Sequence, residues 1–91
     1  MKEILIRPAT ADDIPFICDS FWRSSKRNPD GLNMATIKGI VNHPDTRIDV
    51  ACLPDDESVI VGYKVNGAGL DEYFLYVKVA FRNLGIERML A

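Results

Sequence analysis

Apolar residues recur along this chain at two spacings, and the change from one to the other lays out its elements. Ile4, Leu5 and Ile6 form a short strand run, brought to an end by Arg7 and Pro8 because the proline ring holds its predecessor extended. Ile14, Ile17, Cys18, Phe21 and Trp22 then follow helical spacing and predict an amphipathic helix over about residues 11–24. Thr10 is placed to cap this helix, with Asp13 three residues on to return the bond. Asp12 and Asp13 also lie at the positive end of its dipole. The stripe reads as core, with Phe21 and Trp22 large enough to wall a cleft. Asn28-Pro29-Asp30-Gly31 is a turn. Met34, Ile37, Ile40 and Val41 predict a second helix over residues 34–41, capped by Asn33 and weakened at Gly39 by ~1 kcal/mol. His43-Pro44 closes it, so His43 reads as a helix-end or loop residue.

The spacing then shortens to two. Residues 47–53 put Ile48, Val50 and Cys52 on one strand face. Pro54 to Glu57 read as a turn with three water-facing carboxylates, and residues 58–65 as the returning strand of a hairpin. Asn66-Gly67-Ala68-Gly69 is too short a connection for a crossover helix, so the next strand should run antiparallel. That strand, residues 72–79, carries Tyr73, Phe74, Leu75, Tyr76 and Val77 almost without interruption and should be covered on both faces. A turn over residues 81–85 leads into a helix over 85–91, with Ile86, Met89 and Leu90 inward. The resulting order, β-α-α-β-β-β-α, predicts a single α/β domain over residues 1–91 with a mainly antiparallel sheet.

Composition narrows the functions. Ninety-one residues, 47% apolar and 26% charged, suit one globular domain with a small core. A net charge of −2 gives no electrostatic basis for binding nucleic acid or an anionic membrane. Arg23, Lys26 and Arg27 form a short basic patch that reads as a solvated helix end. No apolar run approaches the ~18 residues of a membrane span, and Lys2 and Glu3 argue against a signal peptide. Cys18 and Cys52 sit in apolar surroundings and read as buried thiols rather than a disulfide. With His43 the single histidine, no zinc site is expected. A reducing cytoplasm is the expected compartment.

The candidate chemistry lies at Arg82-Asn83-Leu84-Gly85-Ile86-Glu87. A helix start presents unpaired amides, successive amides in a turn can nest an anion, and an arginine adds a forked contact to phosphate. Gly85 permits close approach or an unusual dihedral. Taken alone, the segment also fits an ordinary strand–turn–helix.

Three stretches in order resemble the GNAT family of N-acetyltransferases. Ile4-Leu5-Ile6-Arg7-Pro8-Ala9-Thr10-Ala11-Asp12-Asp13 is similar to the family's first strand and helix start, and Val59 to Val65 to its third strand. Tyr76 to Leu90 is similar to the acetyl-CoA motif, whose Arg/Gln-x-x-Gly-x-Gly/Ala core falls on Arg82, Gly85 and Glu87. The resemblance implies acetyl-CoA as cofactor and a primary amine as acceptor. It implies pantetheine contacts at the backbone of Val77 and Val79, and pyrophosphate contacts at Arg82, Asn83, Leu84, Gly85, Ile86 and Glu87. Glu72 occupies the place where some members carry the general base, and Asp71 is a weaker candidate. Two departures stand out. Glu87 replaces a small residue and must turn outward or pair with Arg88, and Val79 stands where proline is frequent. Against the family pattern the domain is expected to be truncated, lacking the parallel fifth strand and the elements after it. That leaves a last-strand edge on which two chains could pair as a non-catalytic dimer or interaction module.

Overall fold

Arg7 sits where two elements must be joined, and it organises the start of the fold. In this computed structural model, which describes residues 3–25, 33–67 and 73–90, β1 spans Leu5–Pro8 at an edge of the sheet. An edge tolerates Pro8, which has no N–H to give. Arg7 reaches from β1 to Asp13, donating at 2.7 and 3.1 Å to its two carboxylate oxygens, and to the Glu57 carbonyl at 2.8 Å. Asp13 also accepts from the Thr10 amide (2.7 Å) and hydroxyl (3.1 Å), which closes the expected capping arrangement. Asp13, read from sequence as the returning partner of the cap, is also a buried hub that holds Arg7.

A 3₁₀ turn at Ala11–Asp13 leads into α1, Ile14–Ser25. Ile17, Cys18 and Phe21 are buried as their spacing requires, while Ile14, Phe16 and Trp22 pack at the margin. Helix α2, Met34–Val41, starts where Asn33 Oδ1 accepts from the Thr36 amide at 2.8 Å. His43 follows it in the loop, its Nδ1 accepting from the Asp45 amide at 3.0 Å. The turn at residues 28–31 and the connection at 68–72 lie outside the described residues.

The described residues form a four-stranded sheet in the order β1-β2-β3-β4, with every neighbouring pair antiparallel. Strand β2 is Arg47–Leu53, β3 is Asp56–Asn66 and β4 is Phe74–Val77. The hairpin turn is tighter than expected: Asp56 and Glu57 belong to β3, leaving Pro54 and Asp55 as the turn. Pairing steps from Ala51↔Gly62 to Cys52↔Ile60, so Val61 is a bulge. The bulge reverses the alternation within β3. Ile60, Tyr63 and Val65 face α1 and α2, whereas Val61 joins Ala51 and Val77 on the other face.

Both faces are covered. On one, Phe21 stacks on Phe74 (centroids 4.1 Å, planes 4° apart) and Tyr63 stacks on Tyr76 (5.2 Å). The Tyr63 hydroxyl is buried with Ser20 Oγ at 2.7 Å and also donates to the Ile17 carbonyl, which satisfies its polar tip. Burial pushes its pKa up. On the other face, Ile86 and Leu90 of α3 (Ile86–Leu90) close over Ala51, Val61 and Val77. Cys18 and Cys52 are buried free thiols. No helix among the described residues is long and apolar enough to cross a membrane.

Candidate functional site

Strand β4 ends earlier than its apolar run suggests. After Val77 the chain turns into a 3₁₀ segment, Val79–Phe81, and Val79 is 75% exposed. The expected strand over residues 72–79 is therefore shorter, and Val79 lies outside the ladder. The Lys78 amide still donates to the Val61 carbonyl at 2.8 Å, so β4 remains tied to the bulge. Because backbone groups alternate along a strand, Val77 directs its amide and carbonyl away from β3, toward the edge that pairs with no further strand among the described residues. The Val77 carbonyl accepts there from Arg82 Nε at 3.2 Å.

That bond folds the turn back on the strand end. Arg82 is extended, Asn83 is left-handed at φ 69° and Gly85 at φ 80°, after which α3 begins at Ile86. Asparagine tolerates the left-handed region and glycine adopts it freely. A Cβ at Gly85 would meet no atom within 4 Å, so the dihedral, not close packing, is what calls for glycine there. Gly85→Ala should accordingly cost about 1 kcal/mol of stability, read by urea denaturation.

Val77, Phe81, Arg82, Asn83, Gly85, Ile86, Glu87 and Arg88 line a cleft of about 400 Å³ beside this turn. Arg82 also lines two neighbouring clefts, with Tyr76 and Ser24, which continue around the open edge of β4. Two guanidiniums against one carboxylate leave the turn cleft with a net positive lining. Glu87 is exposed, lines the cleft and makes no ion pair with Arg88 or any other described residue.

The sequence-predicted residues thus fall into groups. Val77, Arg82, Asn83, Gly85, Ile86 and Glu87 meet at one cleft. Leu84 is 59% exposed in the turn, and Val79 lines the adjoining cleft with Arg82. Glu72 and Asp71 lie outside the described residues. Sequence reasoning missed the Arg82–Val77 bond, although an arginine five residues past a strand end is within reach of its last carbonyl.

No protein-family profile and no curated protein matches this chain. Among solved structures, the chain is similar to the crystal structure of a possible acetyltransferase from Clostridium difficile 630. The TM-score is 0.68 at 19% identity, over 96% of this chain and 65% of that one. The chain therefore has an acetyltransferase-like α/β fold, and it spans 65% of the length of that similar structure.

Proposed function

We propose that this domain binds acetyl-CoA and serves N-acetyl transfer to a primary amine. The observation that carries the reading is the meeting of Val77's outward backbone with the Arg82-to-Arg88 cleft, within an acetyltransferase-like fold. The residues present fit the cofactor's chemistry. Arg82 and Arg88 supply fixed positive charge, and the left-handed Asn83 and Gly85 redirect the turn's amides. Acetyl-CoA, when bound, supplies the activated acyl group.

In this reading Arg82, Asn83, Leu84, Gly85, Ile86 and Glu87 form the pyrophosphate turn, with Val77 and Val79 offering backbone to the pantetheine arm. Arg82 has a second role: by holding the Val77 carbonyl it fixes the turn against the strand end. The domain's contribution is positioning and backbone polarisation. Glu72, close before β4, is the residue we assign to take the proton from the attacking amine.

Calorimetry with two variants tests the reading. Arg82→Ala removes a charge-assisted contact and should weaken acetyl-CoA binding about tenfold. Glu87→Ala removes an exposed carboxylate beside the anion and should tighten it about fivefold, since a like charge at about 4 Å is worth ~1 kcal/mol when water screens it fully. Unchanged affinity in both variants, or effects of the opposite sign, would sink it.

The open edge of β4 supports a second proposal, pairing of two chains along Phe74–Val77. Dimer and coenzyme would compete for Val77, so sedimentation should show acetyl-CoA dissociating any such dimer. A dimer indifferent to saturating coenzyme would refute the shared edge.

A further inference from the structure

A cleft of about 600 Å³ opens where the end of β1, the start of β3 and the residue following β4 face the start of α1. Its charged groups divide sharply by partnership. The Arg7 guanidinium donates to both Asp13 oxygens and to the carbonyls of Pro8 and Glu57, and its Nε lies 3.3 Å from Glu57 Oε1. Arg7 and Asp13 are thus engaged with each other and with the scaffold. Two charges remain. Asp12 is exposed and makes no hydrogen bond or ion pair among the described residues. Lys78 is half-buried, has no carboxylate partner among them, and holds its ammonium 5.3 Å from the centre of the Phe16 ring. Phe16, Val59 and Ile60 supply apolar lining.

Charges of opposite sign that lack an ion-pair partner among the described residues, beside an apolar lining, select a ligand that carries both signs. A simple cation would meet Lys78 as a like charge, and a simple anion would meet Asp12 and Glu57. We propose that this cleft binds a small amino-acid-like zwitterion, with its carboxylate on Lys78, its ammonium on Asp12, and an apolar side chain against Val59 and Ile60. Lys78 directly follows Val77, so this cleft and the proposed cofactor cleft lie on opposite faces of the end of β4. The zwitterion's binding does not rest on the acetyl-transfer reading.

The test is an amide-resolved NMR titration of the whole chain with L-leucine. Isoamylamine, which is leucine without its carboxylate, and isocaproate, which is leucine without its amine, serve as single-charge probes. Leucine should shift the Asp12, Glu57, Ser58 and Lys78 amides saturably, and each single-charge probe should bind about tenfold more weakly. Lys78→Gln should reduce leucine to the level of the amine, and Asp12→Asn to the level of the carboxylate. No saturable shifts at these amides in a folded sample, equal binding by a single-charge probe, or variants without effect would overturn the proposal. Acetyl-CoA added to the same sample separates the two readings. Coenzyme binding without leucine binding overturns this inference and leaves the acyl-transfer reading intact. Leucine binding without coenzyme binding upholds the site and overturns the acetyl-transfer reading.

Discussion

Asp13→Ala is expected to lower the unfolding free energy by about 3 kcal/mol, a large share of the roughly 5–10 kcal/mol available to a domain of this size. The Asp13 side chain is 5% exposed and that of Arg7 is 16% exposed, so removing the carboxylate leaves a guanidinium with little access to water and only the exposed Glu57 as its ion-pair partner. It also takes away the acceptor for the Thr10 amide and hydroxyl at the start of α1. The Arg7 hydrogen bonds hold the Asp13 carboxyl below its usual range; burial opposes this, and the Thr10 amide adds to it. A depressed folded pKa contributes stability that is fully present above the ordinary carboxylate value of ~3.9 and is lost as pH falls through the folded value. Urea denaturation should therefore show a wide gap between wild type and Asp13→Ala at neutral pH, narrowing below about pH 4. A gap that stayed constant into acid would contradict the charge-based account.

Gly62→Ala should cost about 3 kcal/mol for a different reason. The added Cβ would lie 2.7 Å from the Tyr76 carbonyl oxygen and 3.4 Å from Val77 Cα. Both are backbone atoms of β4 and cannot be relieved by a rotamer change. Tyr76 is held by its stacking on Tyr63, and Val77 is buried beneath α3, so β4 would have to move as a unit. That displacement would carry Val77 away from Arg82, and coenzyme affinity should fall with stability. Gly39→Ala is the control of opposite sign. No atom lies within 4 Å of a Cβ there, and alanine in a helix interior should stabilise by about 0.5–1 kcal/mol. Equal effects at the two glycines would refute this account of Gly62.

The elements that could be read from sequence were those whose spacing is set by burial. Ile17, Cys18 and Phe21 in α1, and Met34 to Val41 behind the Asn33 cap, fall where their periodicity puts them. The antiparallel pairing of β2, β3 and β4 followed from a hairpin and a connection too short for a crossover. The features that escaped depend on contacts between residues distant in sequence or on backbone irregularity. Arg7 and Asp13 looked like a strand exit and a capping residue because nothing local announces their pairing. The continuous Val59-Ile60-Val61 run hid a bulge, since both faces of the sheet are apolar and period-two reading cannot detect a reversal there. The apolar run toward Val79 overstated β4 because Lys78 turns the backbone into the 3₁₀ segment. At the candidate site, the Arg82 and Gly85 pattern located the turn, but the bond from Arg82 to Val77 needed coordinates.

The most direct test of the central claim is an amide-resolved NMR titration of the folded chain with acetyl-CoA. Saturable shifts reaching completion near one equivalent, concentrated on Val77 and the amides from Arg82 to Arg88, are the predicted result. A folded chain whose amides in that segment do not respond, or respond no more than those of α2, would contradict it.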